Sequence, residues 1–206
     1  MRILALGPHP DDIELSCGGS LNKLIKNGNE VFYVVFSPCN KSLPEGYPPY
    51  GLYDELDNAS KELGIKEDNI IKLDFPVREF PTYRQEILEN LIKIGRDLSP
   101  DLIFLPNSND LHQDHKTIYE EGMRAFKRKK ILGYELLWNN DNFKSNFFIK
   151  LDKEHVDIKK EALKAYKSQS FRNYFNDEFL YGLAKVRGVQ CGSEYAEAFE
   201  LIRWDI

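Results

Sequence analysis

Apolar residues in the first half of the chain follow two alternating patterns. Short, nearly continuous apolar runs are typical of strands covered on both faces, and they occupy positions 3–6, 30–36, 70–75 and 101–105. Segments with an apolar residue at every third or fourth position are typical of amphipathic helices, and they cover positions 17–26, 52–63, 84–98 and 116–127. This repetition of strand and helix predicts right-handed crossovers and a parallel sheet.

The second half of the chain is less regular. Strands are predicted at positions 131–138 and 147–151, and helices at 153–166 and 175–189. The pattern over positions 196–204 fits a strand or a helix, because its periodicity does not decide between them. We therefore expect a Rossmann-like α/β fold: an open, mostly parallel sheet with helices on both faces, in a single domain over residues 1–206.

Composition narrows the class of protein. The content of 42% hydrophobic and 30% charged residues is ordinary for a soluble globular protein, and a net charge of −5 argues against a general nucleic-acid binder. The basic run at 127–130 is predicted to close a helix, where cations complement the dipole. The sequence contains no recognisable signal peptide or membrane span, so we expect a cytoplasmic protein.

The cysteines exclude two kinds of site. The chain has three cysteines, Cys17, Cys39 and Cys191, and they show no Cys-x-x-Cys spacing. An odd number without this spacing argues against a disulfide framework and against a thiolate zinc site. Cys17 is predicted to be a small buried residue.

Polar segments with metal-ligand chemistry follow two of the predicted strands. His9, Asp11 and Asp12 come after the first strand, and His112 and His115 come after the fourth. The carboxyl ends of strands are where open α/β sheets bind ligands, and imidazole and carboxylate are both good zinc ligands. One aspartate could then share a metal with His9 while the other transfers protons, although a purely structural role for either aspartate as a helix cap is the competing interpretation.

The distribution of histidines favours a metal site over a helix cap. Three of the four histidines fall in these two segments, and the fourth, His155, is interpreted as a solvated surface residue among charged neighbours. Asp114 lies between His112 and His115, where it could hold a ring N–H as carboxylates near metal sites do. Spacing alone does not decide which aspartate, or which of these two histidines, binds the metal.

These motifs resemble those of a known family. His9-Pro10-Asp11-Asp12, followed by Leu15 and Gly18-Gly19, and His112-Gln113-Asp114-His115 are similar to the motifs of the PIG-L (LmbE-like) family of zinc-dependent N-deacetylases. The resemblance spans most of the chain. It implies a zinc hydrolase that removes an N-acetyl or other N-acyl group from an amino sugar or sugar conjugate.

The resemblance also implies roles for individual residues. His9, Asp12 and His115 would bind Zn²⁺, Asp11 would be the general base, and His112 would protonate the departing amine or stabilise the oxyanion. We expect Asp114 to orient His112 and to raise its pKa above the reference value of ~6.5, because a neighbouring negative charge favours imidazolium.

Substrate contacts are predicted from two regions. The loop at 38–53 is rich in Tyr and Pro, and Tyr47 and Tyr50 could face a sugar ring, although a loop that packs on itself is an equal alternative. Arg187, ahead of Arg172, is the preferred candidate to pair with a phosphate or carboxylate of the substrate, although an ion pair at the protein surface is the competing interpretation for either arginine.

Two other functions are compatible with the same motifs. The same site could hydrolyse another bond, such as a phosphoester. A non-catalytic nucleotide- or sugar-binding module is less favoured, because the first turn lacks G-x-G-x-x-G and places acidic residues where a pyrophosphate would lie.

The expected partner is a small N-acylated sugar or conjugate, with no nucleic acid, and a homo-oligomer is compatible with the sequence.

Overall fold

Strands and helices alternate along most of the chain in the structure, a computed structural model that describes residues 1–205. The strands are β1 Arg2–Gly7, β2 Glu30–Val35, β3 Ile70–Lys72, β4 Leu102–Pro106, β5 Lys130–Tyr134, β6 Phe147–Leu151 and β7 Tyr195–Arg203. The α-helices are α1 Asp12–Lys26, α2 Gly51–Leu63, α3 Arg84–Leu98, α4 Gln113–Ala125, α5 Lys153–Leu163 and α6 Asp177–Cys191.

All of these strands belong to one sheet with the order β3-β2-β1-β4-β5-β7-β6. The first five strands pair in parallel, whereas β7 is antiparallel to both β5 and β6. The ambiguous segment at 196–204 is thus a strand, because its backbone pairs with a neighbour on each side. The predicted single α/β domain with a mostly parallel sheet is confirmed.

The direction in which successive strands are added to the sheet reverses at its centre, between β1 and β4. From β1 the chain continues outward to β2 and β3, then crosses back to β4, which pairs with the other side of β1 through Ile3↔Leu102 and Ala5↔Phe104. The loops after β1 and β4 therefore leave neighbouring strands toward opposite sides. Such a switch point opens a crevice at the carboxyl edge of the sheet, and both polar segments lie at it.

Each face of the sheet has its own apolar core. In β1, Ile3 and Ala5 point to a cluster that includes residues of α1, α2 and α5, while Leu4 and Leu6 point to a cluster with residues of α3 and α4. This alternation is the two-residue period of a strand, and it explains why the predicted apolar run is continuous. Among residues 1–205, no helix combines the length and apolar character needed to cross a bilayer.

Three local predictions differ from the structure. Helix α1 begins at Asp12 rather than position 17, and Cys17, which is buried as predicted, marks a bend inside it with non-helical φ and ψ. Helix α4 ends at Ala125, so the basic run at 127–130 lies beyond the helix and reaches into β5. His155 is buried rather than solvated, because α5 packs on α1 and brings its ring nitrogen Nδ1 to 3.0 Å from Oδ1 of Asn22.

The bend in α1 is closed by a carboxylate from the last strand. Glu197 of β7 accepts the backbone N–H groups of Gly19 at 3.2 Å and Ser20 at 2.6 Å, and the ammonium group of Lys159 in α5 at 2.7 Å. Glu197 and Lys159 are both buried. The ion pair therefore ties α1, α5 and β7 together inside the protein.

We predict that Glu197→Ala lowers the free energy of unfolding by about 3–5 kcal/mol, because it leaves the Lys159 ammonium buried and unpaired. The double variant Glu197→Ala/Lys159→Met should recover part of this loss, since no buried charge remains. Urea unfolding measures both. The exposed pair of Lys26 and Glu154 provides the control, and Glu154→Ala should leave stability nearly unchanged. Equal effects of Glu197→Ala and Glu154→Ala would contradict the assignment.

Candidate metal and active site

The turn after β1 presents the first motif to the crevice. Gly7 ends the strand against the ring of Tyr33, where an added Cβ atom would lie only 2.8 Å from that ring. Asp11 has a positive φ of 85°, which is uncommon for a residue other than glycine, and α1 begins at the next residue. Neither Asp11 nor Asp12 caps the helix with its side chain in the way a purely structural role requires. Instead, Asp12 Oδ2 accepts the backbone N–H of His9 at 2.8 Å.

Three donor atoms from the two motifs form a nearly equilateral triangle. His9 Nδ1 lies 3.4 Å from Asp12 Oδ2 and 3.2 Å from His115 Nε2, and the distance from His115 Nε2 to Asp12 Oδ2 is 3.3 Å. In a tetrahedral zinc site with bonds of about 2.0–2.1 Å, ligand atoms are about 3.3–3.4 Å apart. These atoms can therefore hold a zinc ion at three corners of a tetrahedron and leave the fourth corner free.

The far nitrogen of each of these histidines contacts a buried carboxylate. His9 Nε2 lies 2.9 Å from Asp114 Oδ2, and His115 Nδ1 lies 2.8 Å from Asp110 Oδ2. A carboxylate in this position holds the proton on the far nitrogen, so that the lone pair of the near nitrogen faces the centre of the triangle. The site thus has the supporting contacts that metal-binding histidines usually have.

Two of these contacts differ from the sequence prediction. Asp114 was expected to orient His112, but its carboxylate contacts His9 and accepts the backbone N–H groups of Arg78 at 2.6 Å and Phe80 at 3.3 Å. The reason is geometric, because residues two apart at the start of a helix do not face each other. The contact between Asp110 and His115 was not predicted, although Asp110 lies in the same polar segment after β4 and its acidic side chain could have indicated it.

The electric field at the triangle favours a cation. Burial opposes ionisation of Asp12, but His115 and then His9 outweigh it and lower the pKa of that carboxyl. Burial likewise favours a neutral His115, yet Asp12 and Asp110 outweigh it and raise the pKa of His115 to about 10. The carboxylates that attract a proton to His115 Nε2 attract a metal cation to the same place.

His112 has a different environment from the other two histidines. Its Nδ1 accepts the backbone N–H of Asp114 at 3.2 Å and so caps α4, which leaves Nε2 to carry the ring proton. Burial, followed by the charges of His115 and His9, lowers the pKa of His112 to about 4, opposite to the predicted direction. The rings of His9, His112 and His115 offer ligand atoms that all lie within 4.8 Å of one another. His112 is therefore a neutral N–H donor beside the triangle.

Asp11 is the remaining carboxylate at this site. Its carboxylate makes no hydrogen bond among residues 1–205 and lines the cavity in front of the triangle. Burial, and then repulsion from Asp12 and Glu14, raises the pKa of Asp11 well above its usual range, and Arg172 partly offsets this rise. A carboxylate without a partner next to a metal triangle is well placed to accept a proton.

The cavity has a volume of about 350 Å³, within the range of small-molecule sites. Its walls include parts of the 38–53 loop, but not the two tyrosines that were predicted to contact substrate. The hydroxyl of Tyr47 donates to Glu55 at 2.7 Å, and that of Tyr50 donates to Asp74 at 3.0 Å. Both hydroxyls are thus bonded to carboxylates outside the loop, and the side chain of Tyr50 remains 46% exposed.

The two candidate arginines lie in different places, and only one of them lines the cavity. Arg187 lies outside the cavity and its guanidinium is paired with the buried carboxylate of Glu135 through Nε at 3.0 Å and through Nη2. Arg172 lines the cavity. Wall residues that the sequence did not point to include Arg78, Trp138, Asn139, Asn173 and Tyr174. The position of Trp138 just after β5 was a signal for it, whereas the segment at 169–174 reaches the site only through tertiary packing.

Comparison with known proteins decides the family. Residues 4–126 match the family model described as PIG-L, GlcNAc-PI de-N-acetylase. The chain belongs to this family. It is also 34% identical over 172 residues to the uncharacterized deacetylase YaiS of Escherichia coli (strain K12), across 81% of this chain and 90% of the relative. The resemblance inferred from the two motifs is confirmed.

Solved structures of proteins with different activities share this fold. One is an N,N′-diacetylchitobiose deacetylase from Pyrococcus horikoshii in complex with an inhibitor, with a TM-score of 0.81, 24% identity and coverage of 97% of this chain and 82% of that one. Another is GalB, a 4-carboxy-2-hydroxymuconate hydratase from Pseudomonas putida KT2440, with a TM-score of 0.81, 16% identity and coverage of 100% and 97%. Since a deacetylase and a hydratase share this fold, the chemistry has to be argued from the site.

We predict that Asp110→Asn weakens zinc binding by roughly 10–100-fold without unfolding the protein. The amide oxygen can still accept the backbone N–H of His112, but its NH₂ group would face His115 Nδ1 and favour the ring tautomer with the proton on Nε2. Equilibrium dialysis against zinc measures the change. Asp101→Asn, just before the opposite end of β4, is the matched control, and unchanged affinity in Asp110→Asn would contradict the role given to Asp110.

Proposed function

We propose that this chain is a zinc-dependent N-deacetylase that removes an N-acetyl or other N-acyl group from an amino sugar or sugar conjugate. The observation that carries the proposal is the triangle of His9, Asp12 and His115 with the unpartnered carboxylate of Asp11 beside it. Membership of a family of de-N-acetylases supports the same reaction.

In this proposal His9, Asp12 and His115 hold the metal, and their nitrogen and oxygen donors suit zinc. Zinc held there supplies Lewis-acid polarisation of the amide carbonyl and lowers the pKa of a bound water towards ~7. Asp110 and Asp114 keep both histidine rings in the tautomer and orientation that binding needs. The cavity in front of these residues admits the acylated end of the substrate.

Asp11 is the general base. Its carboxylate takes a proton from the water that attacks the amide carbonyl, and burial raises the pKa of this carboxyl, which makes it a stronger base than a solvated aspartate. The same proton is then available to the amine nitrogen when the C–N bond breaks. The products are a carboxylic acid and a free amine, so that one water molecule is consumed.

His112 stabilises the oxygen on which negative charge develops. Its Nδ1 is occupied by the backbone of Asp114, so the ring offers a neutral Nε2–H toward the site. A donor fixed by a helix cap is preorganised, and such donors contribute most where charge appears in the transition state. This assignment keeps the expected role in oxyanion stabilisation and moves amine protonation to Asp11.

A deacylation screen tests the proposed function. Purified protein loaded with zinc is incubated with free and conjugated N-acetylated amino sugars, and released acetate and free amine are measured together. We expect equal amounts of both products and about one zinc per chain. Phosphate release from sugar phosphates without acetate would favour the phosphoester alternative, while binding without any product would favour the non-catalytic module.

We predict that Asp11→Asn keeps its zinc and its fold but lowers kcat by roughly 10²–10⁴-fold, because it removes the proton acceptor and leaves the metal ligands in place. Turnover and zinc content are measured on the same preparation. Asp12→Asn is the matched comparison at the neighbouring position, and it should lose zinc together with activity. Near-normal turnover in Asp11→Asn would assign the base to another residue.

We predict that His112→Ala and His112→Asn both retain zinc and lose roughly 10²–10³-fold in kcat, because each removes the donor to the oxyanion. The asparagine variant separates catalysis from helix capping, since asparagine is a good N-cap residue whereas alanine is not. Activity restored in His112→Asn but not in His112→Ala would show that only the cap matters. Loss of zinc from both variants would instead make His112 a ligand.

A further inference from the structure

Glu14 is a buried carboxylate close to the proposed base. It lies in the first turn of α1, three residues after Asp11, and its side chain is fully buried outside the wall of the cavity. Two hydroxyl groups satisfy its oxygens: Tyr33 donates to Oε2 at 3.3 Å and Tyr166 donates to Oε1 at 2.9 Å. A buried polar group without a hydrogen-bond partner is costly, so these two bonds fix where the Glu14 carboxylate lies.

The two tyrosines connect Glu14 to different layers of the protein. Tyr33 belongs to β2, and its ring packs against Gly7 at the end of β1. Tyr166 follows α5, the helix that packs on α1. Both tyrosines are fully buried, which holds their hydroxyl groups in place. Glu14 therefore ties the first turn of α1 to the sheet on one side and to the segment after α5 on the other.

The hydroxyl oxygen of Tyr166 also contacts the backbone of Asp11. Burial, followed by the negative charges of Glu14 and Asp11, raises the pKa of Tyr166 well above its usual range, while a hydrogen bond from the backbone N–H of Asp11 opposes this rise. The carbonyl oxygen of Asp11 accepts the backbone N–H of Leu15 at 2.9 Å. The backbone of Asp11 is thus held both by α1 and by Tyr166.

Asp11 needs this support because its own side chain provides none. Its carboxylate makes no hydrogen bond among residues 1–205, and its φ of 85° is unfavourable for a residue with a Cβ atom. Such a backbone conformation persists where the surrounding structure holds it. The direction of the carboxylate is therefore set through the backbone, by the groups that hold the turn between His9 and Asp12.

We propose that Tyr166 is a positioning residue for the reaction, and that together with Glu14 it holds the turn of Asp11 so that the carboxylate of the base faces the metal triangle. This inference rests on the proposed function, in which Asp11 is the base. It adds a residue from outside the segment 4–126 that matches the family model. Tyr166 does not line the cavity, so it acts on the reaction only through Asp11.

The kinetic test removes one oxygen atom. Tyr166→Phe keeps the ring and takes away the hydroxyl. For an N-acetylated amino sugar that the native chain deacetylates, we expect kcat to fall about 10-fold, because the base is less well oriented, while KM stays within about twofold and zinc remains bound.

Tyr134→Phe is the matched control for the kinetic test. Tyr134 is equally buried, and its hydroxyl donates to the backbone carbonyl of Leu6 at 2.9 Å without contacting Asp11. This variant loses a buried hydrogen bond of the same kind, yet it should keep kcat within about twofold of the native value.

A double-mutant cycle separates positioning from general destabilisation. In the Asp11→Asn background there is no base to position, so adding Tyr166→Phe should leave the residual kcat within about twofold. A purely structural loss would instead lower kcat by the same factor in both backgrounds. Glu14→Gln is a second variant for the same cycle, because the amide keeps the size of the side chain but replaces one acceptor oxygen by a donor. It should lower kcat about threefold, and only where Asp11 is present.

Hydrogen exchange measures the support of Asp11 without any turnover. Amide exchange is followed by NMR on the zinc-loaded native chain, on Tyr166→Phe and on Tyr134→Phe. The N–H of Asp11 should exchange about 10-fold faster in Tyr166→Phe alone, because its acceptor is gone. The amides of β4 in the same spectra report global opening, so a general loss of stability is recognised.

Four results decide the inference. A kcat of Tyr166→Phe within about twofold of the native value, or an equal loss in both backgrounds, overturns the positioning role and leaves the deacetylase standing. Unchanged exchange at Asp11 in Tyr166→Phe overturns it as well. Faster exchange at Asp11 in a chain that deacetylates no substrate supports the hold on the turn while the proposed function fails. If Tyr166→Phe does not fold, Glu14→Gln is judged by the same cycle and the same exchange measurement.

Discussion

The parallel pairing of β1 with β4 is the constraint on which the site depends. These strands are far apart in sequence, and their pairing places the turn of His9 and Asp12 next to the segment of His115. The distances of 3.2–3.4 Å among the three donor atoms follow from this arrangement, because no local structure brings them together. A shift of one residue in the register of these strands would move the donor atoms apart by more than the tolerance of a metal site.

Two buried carboxylates then orient the histidines that the pairing of β1 with β4 brings together. Asp110 and Asp114 are costly to bury as charges, and the protein offsets that cost with imidazole contacts and backbone N–H groups. Their effect is to fix the orientation of the rings of His9 and His115. Asp11 is the exception in this network, since its carboxylate makes no hydrogen bond within residues 1–205 and its φ is positive, a combination found where a side chain is kept free for a reaction.

The parts that could be predicted from sequence are those governed by local pattern. The alternation of strands and helices, the boundaries of α3 and the gathering of both motifs at one sheet edge follow from apolar periodicity and from the rule for parallel strands. Contacts between side chains did not follow. Asp114 is two residues from His112 in sequence yet contacts His9, and Arg187 is held by Glu135 while Arg172 reaches the cavity. These directions are set by packing between elements that are distant in the chain, and a pattern read along one segment does not contain them.

The carboxylate that closes the bend of α1 is synthesised long after the residues of the site that α1 carries. All three donor atoms have left the ribosome once His115 has emerged, but helix α1, which begins at Asp12, is fastened by Glu197. The roughly 80 residues between them take about 4 to 16 s to synthesise at ordinary rates. During that interval the nascent chain carries all three donor atoms of the triangle without the glutamate that fastens helix α1, so the position of a single residue sets when α1 is anchored.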